Sequence, residues 1–216
     1  QKNRVAWIEG GAKPDVAKAI AGGLEACVDG LTKGRMKNFT LAAFADWADR
    51  LEAAKGKDAW ATMFWPAHLF AAGARWGHEF IEYYGTGGGL CRPMMATFLR
   101  EASTTPGFGH LAAAADAYER LSQDWSALAD ALLPDDVPEF ARIRKALEER
   151  AEATAAGASE AVAREHWAKV DALQAAVKAS CGLDAAGAAA MRRSLGAKVR
   201  ALHAAESEAL SKLTRP

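Results

Sequence analysis

Cysteine is scarce in this chain. Cys27, Cys91 and Cys181 are far apart and odd in number, which excludes a disulfide framework and a CxxC metal site. A reducing cytoplasm is the compartment expected of such a sequence. Net charge is absent too: 27 basic and 27 acidic residues cancel, so no global field draws the 216-residue chain onto nucleic acid or an acidic membrane. No apolar run approaches the roughly 20 residues that span a bilayer. No segment alternates as a strand does, and the cluster Phe80-Ile81-Glu82-Tyr83-Tyr84 continues a helical stripe. Nor does a signal-peptide pattern stand at the start. The chain begins at Gln1 rather than Met, and a leader or a whole preceding domain is expected before it.

Metal and nucleotide motifs are missing as well. His78 and Glu82 share a helix face, but the segment is not HExxH, and two ligands do not make a site. The residues three before each histidine are Trp65, Arg75, Gly107, Ala163 and Arg200, so the Glu-x-x-His of di-iron bundles does not occur. No metal and no cofactor are expected.

What the sequence does contain is helix. Apolar positions recur with the helical period over residues 14–28, 41–54, 66–84, 93–103 and 111–133, with a short helix from Asp58 to Trp65. Pro14 suits a first turn, Asn38 or Thr40 can cap the second helix, and Gly56 stops it. Pro66 breaks the pattern, while Gly73 and Gly77 permit close helix contact. A Pro- and Asp-rich break at residues 133–138 divides an aromatic-rich helical core, 1–133, from a tail, 134–216. The tail holds only two aromatics, Phe140 and Trp167, and is dominated by Ala, Glu, Lys and Arg. It should form long amphipathic helices, a helical hairpin that packs back on the core. The fold expected is all-α, a multi-helix bundle. Core packing is the expected role of the seven tryptophans, with one or two left to line a cleft. Arg192, Arg193, Lys198 and Arg200, with Glu206 and Glu208 nearby, read as a solvated face.

The run Gly85-Thr86-Gly87-Gly88-Gly89-Leu90-Cys91-Arg92-Pro93 is the feature most suggestive of function. Four glycines in five positions free the backbone and expose amide N–H groups. The helix that follows offers the positive end of its dipole. Arg92 adds a planar cation suited to a carboxylate or phosphate. The spacing is neither a P-loop nor a Rossmann fingerprint, because no Lys stands at the required place and no strand precedes it. Cys91 lies in a setting that lowers a thiol pKa, yet neither His78 nor His110 is spaced as its base. It reads more naturally as a small buried residue. Tyr83 and Thr86 would add hydrogen bonds to a ligand held by Gly87, Gly88, Gly89 and Arg92, and Glu101, far down the following helix, could clamp Arg92 only through tertiary contact.

Residues 84–102, from Tyr84-Gly85-Thr86-Gly87-Gly88-Gly89 through Arg92-Pro93 to Phe98-Leu99-Arg100-Glu101-Ala102, resemble a family signature. It is that of the helical C-terminal region of butirosin-biosynthesis-H-like proteins. Trp7 with Ala19-Ile20, Asn38-Phe39 before Leu41, Trp60 with Phe64, and Trp125 within residues 124–129 support the likeness. It covers about residues 1–132, and residues 206–213 fit a family-like final helix. The resemblance implies an upstream cysteine-peptidase-like domain that passes an acyl group from a carrier-protein thioester, through an enzyme cysteine, to an amine. Only Gly87, Gly88, Gly89, Arg92 and Glu101 match the motif residue by residue. The first expectation is therefore a substrate- or carrier-binding helical module of a thioester-dependent acyltransferase in specialised metabolism, not catalytic on its own. Its partners would be an acyl carrier protein or the cysteine-bearing domain. The second is a non-catalytic interaction or scaffold protein that pairs with a second copy or another helical chain. A third, a stand-alone small-molecule-binding bundle, requires an apolar cavity near the glycine loop.

Overall fold

The computed structural model describes Gly11 and residues 15–84 and 87–214. Among them the regular structure is helical, with no strand. Nine α-helices follow in order: α1 (Val16–Lys33), α2 (Ala42–Glu52), α3 (Trp60–Met63), α4 (Ala67–Glu82), α5 (Arg92–Ser103), α6 (Leu111–Leu132), α7 (Pro138–Ala155), α8 (Glu160–Ala176) and α9 (Ala185–Ser211). Short 3₁₀ turns occupy Lys37–Phe39 and Gly89–Cys91.

Local chemistry sets several boundaries differently from the periodicity alone. Helix α1 starts after Asp15, whose carboxylate accepts the Lys18 N–H. Pro14 lies outside the described residues. Neither Asn38 nor Thr40 caps α2: Leu41 takes that position without a side-chain bond, and the Thr40 hydroxyl donates back to Lys37 O at 2.8 Å. The 3₁₀ turn at Lys37–Phe39 has consumed the capping group. Ala59, not Asp58, precedes α3, again with no side-chain cap. Val137 precedes α7, which opens on Pro138 as a fixed φ and a missing N–H allow.

Helix α6 is the centre of the bundle. It packs against α4, α5, α9 and the Gly89–Cys91 turn. Its buried stripe, including Ala114, Ala117, Leu121, Trp125, Leu128 and Leu132, recurs every three or four residues. Small side chains bring α5 close, since Ala96 and Ala102 of that helix are buried with Leu99. Gly77 does the same for α4: a Cβ there would stand 2.8 Å from Leu132 Cδ1.

The tail divides in a way its composition does not announce. Helices α7 and α8 form a hairpin with each other, whereas α9 returns to lie along α2 and α6. The α2–α9 contact is close. A Cβ on Gly196 would meet Glu52 Oε1 at 2.6 Å, Phe44 stacks on His203 with centroids 5.7 Å apart, and Arg200 bonds Asp49 and Glu52. The apolar core is continuous across residues 133–138, with Phe140 stacked on Phe70 at 6.2 Å.

A buried polar knot ties the hairpin to α4. Glu79, 1% exposed, accepts from Arg75 Nε at 3.1 Å and lies 3.9 Å from Arg150 Nη1. Arg75 also bonds Asp171 at 2.9 Å, and Arg150 lies over the Trp167 ring at 3.9 Å. Trp167, itself 40% exposed, therefore covers the guanidinium of Arg150 instead of filling the core. Removing one partner of a buried pair leaves the other charge uncompensated. Glu79→Ala should cost about 3 to 5 kcal/mol in urea denaturation, with the far-UV helical signal retained below the transition. A loss below about 1 kcal/mol would mean that the knot contributes no net stability.

Candidate functional site

The glycine run and the helix after it adopt an unusual backbone. Positive φ angles continue from Gly87 (68°) through Gly88 (83°) and Gly89 (49°) to Leu90 (50°) and Cys91 (65°). Glycine takes such angles freely, but each left-handed non-glycine residue costs about 1–2 kcal/mol. Leu90 and Cys91 are therefore strained and must be held. Gly88 N–H donates to Glu82 O at 3.1 Å, and the Arg92 N–H closes on Gly89 O. Gly89 lies directly on α6, where a Cβ would be 2.8 Å from Ser122 O and 2.9 Å from its Cα. Ser126 on the same helix donates to Glu82 Oε1 at 2.7 Å. Thr86 lies outside the described residues.

Arg92 is the main clamp. Its Nη1 donates to Leu90 O at 2.7 Å, across the strained residues. Its Nε and Nη2 reach Glu206 Oε1 of α9 at 2.7 and 2.5 Å. Trp125 Nε1 donates to the same oxygen at 2.7 Å, and the guanidinium lies over the Trp125 ring at 5.4 Å. Glu206 is 1% exposed. The carboxylate expected on a solvated face is thus the buried counter-charge of Arg92. The cation expected to wait for an anionic ligand already has an internal partner. Two neutralisable groups border the pair. Burial pushes the Cys27 thiol up, with Arg92 opposing and Glu206 adding. Burial, then Glu206, raises Tyr118 well above the usual phenol range.

Beside this clamp opens a cavity of about 630 Å³. Leu31 and Phe39 come from the first segment, Phe44 and Trp47 from α2, and Trp76 and Phe80 from α4. Trp60, Ile81 and Trp125, all buried, form its floor, and Leu90 and Arg92 close one end. Its rim is open: Phe39, Trp76, Phe80 and Tyr84 are 71, 59, 58 and 66% exposed. Among the described residues, Asn38, Thr40 and Arg92 are the only ones lining it that are not apolar, aromatic or glycine. The volume lies in the range of small-molecule sites, which are apolar with few polar groups.

The site residues expected from sequence separate into groups. Gly89 and Arg92 meet at the clamp, Gly88 contacts Glu82, and Gly87 has open space around it. Glu101 is exposed more than two turns down α5, so Arg92 is paired by Glu206 in its place. Tyr83 faces away from the cavity, edge-on to His78 at 5.6 Å and beneath Arg150 at 5.9 Å. Burial, then the Glu148 and Glu82 carboxylates, pushes its hydroxyl up to about 12. His78 and Glu82 have separate partners: His78 Nδ1 is bonded to Ala129 O, and Glu82 holds Ser126. No group of three or more His, Cys, Asp or Glu comes together among the described residues. Sequence reading allotted one or two tryptophans to a cleft, whereas Trp47, Trp60, Trp76 and Trp125 line it. The signal for it is the spacing Gly73, Trp76, Gly77, Phe80, a second stripe on a helix that already buries Phe70, Ala74 and Ile81, continued by Tyr84 just past its end.

A family model described as a domain of unknown function, DUF4872, matches residues 2–163, about three quarters of the chain. The chain belongs to the DUF4872 family. No curated protein and no solved structure matches it. The whole DUF4872 cavity, from Leu31 to Trp125, falls within the matched residues, whereas Glu206 lies beyond them.

Two sets of substitutions test this construction of the DUF4872 site. Gly89→Ala should cost about 2 kcal/mol or more, because its Cβ meets α6 backbone at a positive φ. Cys91→Gly relieves left-handed strain and should leave stability unchanged or raise it by about 1 kcal/mol. Equal losses from both in urea melts would refute the strained-turn account. Arg92→Ala should cost about 3 to 5 kcal/mol by stranding Glu206, and pairing Arg92→Met with Glu206→Leu should recover most of it. A double variant no more stable than Arg92→Ala would mean that the charges do not act as a pair.

Proposed function

We propose that the chain is the substrate-binding helical module of a thioester-dependent acyltransferase in specialised metabolism. Its aromatic cavity holds the acyl portion of the donor, and a cysteine in another domain carries the chemistry. The observation that supports this best is the cavity itself, a roomy apolar space bordered by the glycine turn. It is also what the small-molecule-binding expectation required. The chain's own groups are poorly placed for nucleophilic chemistry: burial keeps the Cys27 thiol protonated, and Ala129 O occupies His78 Nδ1. An acyl carrier protein or the cysteine-bearing domain is the partner that would deliver the chain end to the open rim. Among the described residues no helix is long and apolar enough to cross a membrane, and this reading places the module in the cytoplasm.

One observation favours a second reading, a non-catalytic interaction protein: four rim aromatics more than half exposed form a surface that another helical chain could cover. Concentration-dependent mass measurement separates the two, since a monomer that binds acyl ligand counts against a scaffold role.

Decanoyl-N-acetylcysteamine, a soluble acyl thioester, is expected to bind in calorimetric titration. Trp76→Ala and Phe80→Ala should each weaken it roughly tenfold, as loss of a contacting aromatic worth about 1–1.5 kcal/mol implies. Both side chains are mainly exposed in the free protein, so melting should change little. Absence of binding up to about 1 mM ligand, or variants that bind as the parent does, would overturn the reading.

A further inference from the structure

We infer that the cavity is a charge filter, which admits a neutral acyl group and rejects the corresponding free carboxylate, and that Glu206 sets this selectivity. The inference rests on the acyl-binding reading and adds to it the state of the ligand. Arg92 is the only charged residue that lines the cavity among the described residues. By itself it would make the site a carboxylate receptor, because a guanidinium is always charged and its fork fits a carboxylate.

Glu206 cancels that tendency in two ways. It supplies a full negative charge 2.5–2.7 Å from the Arg92 nitrogens, so the pair is neutral as seen from the cavity. It also takes Nε–H and one N–H of Nη2, while Leu90 O takes one N–H of Nη1, so three of the five guanidinium N–H groups are engaged within the protein. Trp125 Nε1, the one indole donor in direct contact with the pair, is spent on Glu206 as well. A carboxylate entering this space would lose its hydration for, at most, the two remaining N–H groups of a guanidinium whose charge is already neutralised, and would lie close to the buried Glu206 charge. Burial of an uncompensated charge is far more costly than burial of the neutral group. A cationic headgroup is disfavoured too. The aromatic faces would attract it, but it would stand near Arg92, and no carboxylate among the described residues lines the space to balance its charge.

A thioester or amide masks the acid's charge, so an acyl group is neutral while activated and anionic once hydrolysed. A cavity with this electrostatic balance holds the neutral thioester donor, accepts the neutral amide product by the same measure, and excludes the free acid that hydrolysis would form. Arg92 and Glu206 then act as positioning residues for that choice, with no covalent role.

N-phenyl-1-naphthylamine, a neutral dye that brightens in apolar sites, reports occupancy by displacement. Decanoyl-N-acetylcysteamine and decanamide should displace it at least about tenfold more effectively at neutral pH than decanoate or decyltrimethylammonium. In Glu206→Gln, with Arg92 no longer neutralised, decanoate should gain about tenfold relative to decanamide. Dye binding with decanoate equal to or better than decanamide in the parent protein overturns the filter while leaving the acyl-binding reading intact. Failure of dye and thioester alike to bind overturns both. Arg92→Met with Glu206→Leu should keep the preference for decanamide, and a preference for decanoate in that charge-free variant would likewise refute the role of the pair. If Glu206→Gln does not fold, the parent and this double variant still decide the matter.

Discussion

The buried carboxylate of Glu206 is the constraint on which the candidate site depends. It lies near the end of the sequence, yet it receives Arg92 from the start of α5 and Trp125 from the middle of α6. One oxygen thereby joins three elements that are distant along the chain. The energies are of comparable size. Two left-handed residues at Leu90 and Cys91 cost about 2–4 kcal/mol together. Breaking a buried pair costs about 3–5 kcal/mol. The second figure is the penalty for stranding one charge and not the net worth of the pair, so the turn is held by the clamp together with the contact of Gly89 against Ser122.

Helix α4 has to satisfy two environments at once. Phe70, Ala71, Ala74 and Ile81 are buried in the core, while Trp76 and Phe80 stand at the rim of an open cavity. Gly73 and Gly77 reconcile these demands. They let Phe64 and Leu132 approach the α4 backbone so closely that a Cβ would stand 2.8 Å from either side chain. The space that two side chains would have filled goes to packing below, and Trp76 between them, with Phe80 one turn on, is left to face outward. Exposed aromatics are costly to maintain in water, so their collection on one opening is better explained by a ligand than by packing alone.

How much of this could be read in the sequence follows from the range over which each signal acts. Helical periodicity is local, and it located α2, α4, α5 and α6 to within a few residues. The break at Pro134 and Pro138 was equally local. Caps were less secure, because Thr40 had a competing acceptor in Lys37 O that only the 3₁₀ turn creates. The glycine run announced its unusual backbone, and Gly89 explains the need for it. The partner of Arg92 could not be found in this way. Glu101 and Glu206 are both acidic residues on helices, and only the return of α9 along α2 and α6 decides between them. Likewise the cavity draws on residues from Leu31 to Trp125, and no window of sequence contains them.

That return of α9 also changes what the tail is for. A composition poor in aromatics and rich in Ala, Glu, Lys and Arg suggests amphipathic helices laid on the outside of the core. Helix α8 fits such a description, since Val170 is its only buried residue, whereas α7 buries Phe140, Ile143, Ala146 and Leu147. Helix α9 does not fit it either. It buries Leu195, Val199, Leu202 and Leu210 together with Glu206, and it holds α2 through Arg200 and His203. Phe44 and Trp47, which α2 contributes to the cavity wall, therefore depend on α9 for their position. The same helix fixes the wall and sets the charge of the cavity end. Any change that loosens α9 from α2 must alter both the shape and the polarity of the cavity, so the tail belongs to the site as much as the glycine turn does.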